Sequence, residues 1–283
     1  MENKVILITG SSMGIGKTMA RELAYRGATI IINARNQERL DQTYREFEAD
    51  GYSVLPVAGD VSRYEDCQRL LETIRRTYGR LDVLINNAGI STEGTVGDLS
   101  PAVFKQVVEV NLLGSVYCTQ LALPMLRERR GSVLFMGSVA GIRGLPGYAP
   151  YSATKMALTA LAESLAIEER AQGVHVGLAY VGFTENEPQK TILAADGRIL
   201  PQPRRNFIQP ESREVVARRL IRMIEKRQHK RVFTPLGKLN AWVNRLVPGV
   251  GSYVLRRKYG NDEWSIKRIT VYDRRDERPL SKS

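Results

Sequence analysis

Val5-Ile6-Leu7-Ile8-Thr9-Gly10-Ser11-Ser12-Met13-Gly14-Ile15-Gly16 is the stretch that decides how this chain folds. Four consecutive apolar residues, three of them β-branched, read as a strand covered on both faces. Glycines at 10, 14 and 16 then open a helical stretch over 15–26. A side chain at these points would obstruct the tight turn, or keep a phosphate from the backbone N–H groups. The N-terminus of a helix attracts an anion, so a strand, a glycine turn and a helix in this order bind a pyrophosphate. A merely structural βα turn is the plainer alternative, and the correct flanking elements argue against it.

Working outward, strand-like and helix-like patterns alternate for 180 residues. Short apolar runs at 4–9, 28–34, 53–58, 81–86, 132–138 and 174–180 alternate with helical stretches at 15–26, 36–49, 63–78, 101–129 and 151–171. This alternation predicts an α/β fold, a doubly wound parallel sheet of Rossmann type with crossover helices on both faces. Pro101 fits the first turn of its helix, with Ser100 as N-cap. Beyond residue 182 the pattern loosens. Residues 185–208 contain Pro188, Pro201 and Pro203 and read as a loop or lid. A helix at 211–228, a short strand at 231–234 and an amphipathic helix at 238–247, stopped by Pro248-Gly249, follow. We divide the chain into one catalytic domain, 1–237, and a basic C-terminal extension and tail, 238–283, whose last twenty residues look poorly ordered.

The second informative stretch is Tyr151-Ser152-Ala153-Thr154-Lys155. Residues four apart share a helix face. An ammonium fixed beside a phenol favours the phenolate, and such a pair can exchange a proton with a substrate oxygen near neutral pH. A proton donor joined to a dinucleotide turn reads as hydride-transfer chemistry. The cofactor type is decided at the end of the second strand, Asn33-Ala34-Arg35-Asn36. A site for NAD places an acid there for the ribose 2′-hydroxyl. No carboxylate occurs between residues 28 and 37, and Arg35 can clamp a 2′-phosphate, with Ser12 and Arg39 assisting, so the expected cofactor is NADP(H).

Taken as a set, Thr9-Gly10-x-x-x-Gly14-Ile15-Gly16, Asp60-Val61, Asn86-Asn87-Ala88-Gly89, Asn111, Ser138 and Tyr151-x-x-x-Lys155 resemble the short-chain dehydrogenase/reductase family over roughly residues 4–235. The resemblance implies that Tyr151 is the general acid/base and that Lys155 holds the nicotinamide ribose and lowers the tyrosine pKa. It implies that Ser138 hydrogen-bonds the substrate carbonyl and that Asn111 holds a water relaying protons to Lys155. Asp60 and Val61 would contact adenine, and Asn87, Ala88 and Gly89 would line the ribose side of the cleft. Taken singly, Ser138 and Asn111 could equally be a strand-end cap and a helix turn. One departure stands after the sixth strand, where the family has Pro-Gly and then a Thr for the nicotinamide carboxamide. This chain has Val181-Gly182-Phe183-Thr184-Glu185-Asn186, with Asn186 at the Thr position and Gly182 and Thr184 as the candidate contacts.

Composition narrows the remaining classes. The 283 residues are 43% hydrophobic and 25% charged, ordinary values for a soluble domain. Cys67 and Cys118 are too few for a disulfide framework, and no metal-ligand spacing occurs, so no metal is expected. The first strand begins at once, which predicts no signal peptide, and no apolar run is long enough to span a bilayer. A cytoplasmic, reducing location is the expectation, with peripheral contact at a membrane surface as an addition to it.

The net charge of +12 is uneven: residues 1–189 sum to −2 and residues 190–283 to +14. Such a segment suits anionic lipid, nucleic acid or an acidic partner, or is a solvated helix face. No nucleic-acid motif occurs in it, and no nucleic-acid partner is expected. Leu239, Trp242, Val243, Leu246 and Val247 form an apolar stripe beside Arg245 and Arg256-Arg257-Lys258. The combination resembles the C-terminal extensions of 3-ketodihydrosphingosine reductase-type lipid reductases. It suits an interfacial helix on an anionic membrane, a cover over the pocket, or a subunit contact. Ile90, Ile142, Leu145, Tyr148 and Phe183 are apolar candidates for a pocket that takes a hydrophobic ketone or aldehyde. The family resemblance also implies a homodimer or homotetramer. The rival reading is a regulator that binds NADP without catalysis, which turnover of any ketone would exclude.

Overall fold

The computed structural model describes residues 1–185, 187, 189–202 and 210–259. Asn186, Pro188, residues 203–209 at the end of the expected lid and the charged tail from 260 lie outside the described residues. In chain order the elements are β1 (Val5–Ile8), α1 (Gly14–Tyr25), β2 (Thr29–Ala34), α2 (Gln37–Ala49), β3 (Val54–Ala58), α3 (Tyr64–Tyr78) and β4 (Val83–Asn86). A two-residue β5 (Thr92–Glu93) precedes α4 (Pro101–Val108), a π-turn (Glu109–Leu113) and α5 (Gly114–Arg129). Then come β6 (Ser132–Ser138), a single 3₁₀ turn (Val139–Gly141), α6 (Ala149–Glu168) and β7 (His175–Val181). The last elements are β8 (Thr191–Ala194), β9 (Ile199–Pro201), α7 (Arg213–Glu225), β10 (Lys230–Val232), α8 (Pro235–Leu246) and α9 (Pro248–Tyr259).

Seven strands form one parallel sheet in the order β10-β7-β6-β4-β1-β2-β3. The chain winds outward from β1 in one direction and then returns to β4 and runs in the other. The doubly wound α/β class predicted from the alternation is therefore the observed one. Successive side chains of a strand point to opposite faces. Ile6 and Ile8 of β1 enter the core beneath α1, α2 and α7, while Val5 and Leu7 enter the core beneath α3, α5 and α6. In β2, Ile30 and Ile32 take the first side and Ile31 the second. Both faces are dry, so the strands read as unbroken apolar runs.

The structure departs from the sequence expectations in five places. The helix expected at 101–129 is split by the π-turn, and Ser100 occupies the N-cap position without a side-chain cap bond. The helix expected from 151 starts at Ala149, with Pro150 in its first turn where no N–H is needed. The lid expected as loop holds a hairpin, β8 against β9, which β5 joins in parallel to make a second sheet. The helix expected from 238 begins at Pro235, because the Thr234 hydroxyl accepts the Gly237 N–H and caps it. Finally, Pro248-Gly249 does not only stop α8. Proline is favourable at the first position of a helix, and Pro248 opens α9.

Candidate active site

The glycine turn sits at the carboxyl edge of the sheet, where β1 lies between β2 and β4. Gly10 and Gly14 have φ of +61° and +59°, a region that side-chain-bearing residues avoid. A Cβ on Gly10 would lie 2.7 Å from the Ala88 Cα, and one on Gly16 would lie 2.4 Å from the Asn87 amide nitrogen. The turn and the segment 87–89 thus touch backbone to backbone. Asn87 donates through Nδ2 to the carbonyls of Thr9 and Gly10, both at 2.9 Å. Thr9 Oγ1 accepts the N–H groups of Asn87 and Ala88, each at 3.0 Å. The Asn87 side chain therefore braces the turn through its amide nitrogen. Ile15 points into the core beneath α1.

The end of β2 is held in the same manner. Buried Asn33 donates to the carbonyls of Val57 and Gly59, and its own N–H goes to Ser11 Oγ. Arg35 follows, exposed, with no ion pair or hydrogen bond among the described residues. A cleft of about 190 Å³ beside the turn is lined by Ser12, Lys17, Arg39 and Thr43 among others. Asp60 is turned toward Ser62, whose N–H and hydroxyl it accepts at 3.0 and 2.7 Å, and Val61 is buried against Gly114.

A contact that the sequence did not foreshadow crosses the turn. Glu187, from the segment after β7, accepts the Gly14 N–H through Oε1 at 2.9 Å. The same oxygen pairs with Arg213 at the start of α7. A carboxylate on the first free N–H of α1 stands where a phosphate oxygen would be stabilised. Gly182, at the root of that segment, lies so close to Thr234 that a Cβ would come within 2.4 Å of its methyl group. Thr184 forms an isolated bridge with Glu211 and holds the segment's path.

Asn111, Ser138, Tyr151 and Lys155 come from three elements. Asn111 is fully buried in the π-turn, a bulge that re-aims one side chain within a helical run. Its Oδ1 accepts the Ile90 N–H at 2.8 Å, and its Nδ2 donates to the Ile90 carbonyl at 2.9 Å and to Thr154 Oγ1 at 3.2 Å. Thr154 in turn donates to the Tyr151 carbonyl at 2.8 Å. The π-turn is thereby tied to the first turn of α6. Gly89 lies between the remaining groups, since a Cβ there would sit 3.3 Å from Asn111 Oδ1 and 3.7 Å from Lys155 Nζ.

Lys155 is 5% exposed, although lysine is rarely buried without a counter-charge. Its Nζ donates to the Met136 carbonyl at 2.7 Å and lies 5.6 Å from the centre of the Tyr151 ring. Burial, and secondarily the positive charge of Lys190, lower its pKa from 10.5 to about 8. Ser138 ends β6, and its Oγ accepts the Ala140 N–H at 3.2 Å, which starts the 3₁₀ turn. A Cβ on Gly141 would fall 2.7 Å from the Lys155 carbonyl, so this turn lies directly on α6. Ser138 is thus carried to the end of the helix that bears Tyr151 and Lys155. Asn111, Tyr151 and Lys155 are drawn together around Gly89 and Thr154, and Ser138 is joined to them through the 3₁₀ turn that lies on α6.

A doubly wound parallel sheet, a glycine turn over a helix N-terminus, and a tyrosine and a buried lysine on one helix together mark a dinucleotide-binding α/β fold. The model of the short chain dehydrogenase family matches residues 4–196, and the chain belongs to that family. It is 39% identical over 186 residues to 3-ketodihydrosphingosine reductase of Bos taurus, a match over 64% of this chain and 56% of the bovine protein. The match therefore spans little more than half the length of that relative. It is 34% identical over 217 residues to 3-oxoacyl-(acyl-carrier-protein) reductase of Thermotoga maritima, covering 75% of this chain and 87% of that one. Among solved structures, an alcohol dehydrogenase from Thermococcus sibiricus complexed with 5-hydroxy-NADP superposes with a TM-score of 0.71. It is 26% identical in sequence, over 82% of this chain and 96% of the other.

Proposed function

We propose that the protein is an NADP(H)-dependent oxidoreductase that reduces the carbonyl of a hydrophobic ketone or aldehyde to an alcohol. The residues present fit a dinucleotide. Gly10 and Gly14 leave the turn bare, and the Gly14 N–H already holds an anionic oxygen, that of Glu187. Lys17 and Arg39 border the cleft beside it, and Arg35 stands exposed at the end of β2, without an ion pair among the described residues and with no carboxylate between residues 28 and 37. These cations suit a 2′-phosphate where an acid would suit a hydroxyl. Among solved relatives, the alcohol dehydrogenase above carries an NADP derivative, which agrees with this reading.

The observation that carries the proposal is the buried Lys155 against Tyr151. A buried ammonium without a carboxylate is costly, and here it lowers the cost of charge on the neighbouring phenol. When bound, the nicotinamide supplies the hydride to the carbonyl carbon. Tyr151 gives its proton to the carbonyl oxygen: the phenol O–H breaks, the alcohol O–H forms, and a phenolate remains beside Lys155. Ser138 donates to the same carbonyl oxygen and orients it. Both amide hydrogens of Asn111 are already used, so it can hold a relay water only as an acceptor, through the second lone pair of Oδ1. Gly182 and Thr184 shape the nicotinamide end. The test is NADPH oxidation with a panel of apolar and sugar-like carbonyls, with NADH as control. Clear NADPH turnover with apolar ketones or aldehydes is the expected result. A preference for NADH of about tenfold, or about 1.4 kcal/mol, would overturn the cofactor assignment.

A further inference from the structure

The helical pair α8–α9 is docked inside out. The side of α8 that meets the body is small and polar. Gly237 is buried, and a Cβ on it would lie 2.9 Å from Val139 Cγ1, in the 3₁₀ turn next to Ser138. One and two turns on, Ala241 is half-buried and Asn244 Nδ2 donates to the Ile142 carbonyl at 3.0 Å. Arg143 closes the seam, donating to Asn244 Oδ1 at 2.9 Å, to the Pro248 carbonyl at 3.3 Å and to Ser252 Oγ at 2.6 Å. The large apolar side chains face away. Leu239, Trp242 and Leu246 on α8 and Val250, Tyr253 and Val254 on α9 are each 53–63% exposed. An apolar face of this size is unusual on a soluble monomer and marks an interaction surface.

Charge selects the occupant. Residues 235–259 contain five Lys and Arg and no Asp or Glu. If a second copy were pressed on this face about a two-fold axis, it would meet its own cations with no acid to pair them. An anionic lipid surface satisfies both features, because it takes Trp, Tyr and aliphatic side chains at headgroup depth and attracts the rim of Lys and Arg. Among the described residues no helix is long and apolar enough to cross a membrane, so the contact is a peripheral one. We propose that α8–α9 is a docking face for an anionic bilayer and sets the wall of the candidate pocket against the lipid surface. This goes beyond the proposed carbonyl reduction and does not depend on it.

The full chain is mixed with phosphatidylcholine vesicles, with and without phosphatidylglycerol, and floated at low and at high salt. Binding to the anionic vesicles alone, lost at high salt, is the expected result. Leu239→Ser/Trp242→Ser/Leu246→Ser should abolish it. Arg245→Gln/Arg256→Gln/Arg257→Gln should weaken it by about fivefold for each charge removed. Retained NADPH binding by both variants shows that they are folded, and turnover of a water-soluble ketone without vesicles tests the enzyme reading separately. If the intact chain stays in solution with anionic vesicles at low salt, the proposal is wrong. It is equally wrong if the serine variant floats like the parent while its mass in solution falls, which would assign the face to a second copy.

Discussion

Tyr151→Phe removes one oxygen and little else. The phenol is the proton donor in the proposed reaction, whereas the glycine turn and the cations beside it hold the dinucleotide. The variant should lose about 10²–10⁴ in kcat and keep its NADPH affinity, measured by steady-state kinetics and by fluorescence titration. Turnover within a few-fold of the parent would mean that another group supplies the proton. At this scale the sequence was readable where chemistry depends on local spacing. Tyr151 and Lys155 are four apart on a helix, and no folding knowledge is needed to see that they share a face. Where the partner lies far along the chain, the sequence was silent. The Asn87 amide braces Thr9 and Gly10, and Glu187 reaches Gly14 across 173 positions. Nothing local to these residues announces either contact.

The segment carrying Glu187 is where an element makes its own prediction. Its carboxylate occupies the Gly14 N–H that a pyrophosphate would use, so the dinucleotide must displace it. Glu187→Gln removes the competing charge and frees Arg213 for the anion. The variant should bind NADPH more tightly by about fivefold, corresponding to a helix-terminus charge effect of about 1 kcal/mol. Unchanged or weaker binding in a calorimetric titration would show that Glu187 does not compete. The same segment explains why the hairpin β8–β9 was read as loop. Its strands are four and three residues long and pair with each other, and only β8 also pairs with β5, which has two residues. Short strands of that kind exist through partners, not through composition. For α8 the apolar periodicity was plain in the sequence, but periodicity does not say which side of a helix meets the protein. Gly237 and Asn244 decided that, through close approach and hydrogen bonding.

The fold as a whole stores a response to acid. His175 starts β7 and is 1% exposed. Burial first, then the charge of Arg227, outweigh the hydrogen bond to the Gln228 backbone and, with the neighbouring His229, lower its pKa from 6.5 to about 4. Between those values the unfolded chain takes up a proton that the folded protein refuses. Stability is therefore undiminished above about pH 6.5 and falls as the pH drops toward about 4, by a total of about 3 kcal/mol from this group. Melting temperature followed over that range should show the loss, and His175→Leu should flatten it. An equally steep decline in the variant would assign the effect to other groups. The doubly wound order of the sheet was legible because every crossover had its own apolar run and its own helix. What the chain does at its outer surface was not. Arg143 belongs to the stretch between Ser138 and Tyr151, yet its guanidinium is spent on α8 and α9. The segment between Ser138 and Tyr151 is therefore tied directly to the outermost helices. Thermodynamics then imposes a reciprocity: whatever factor an occupant of the outer face adds to substrate affinity, bound substrate must return in full to that occupant.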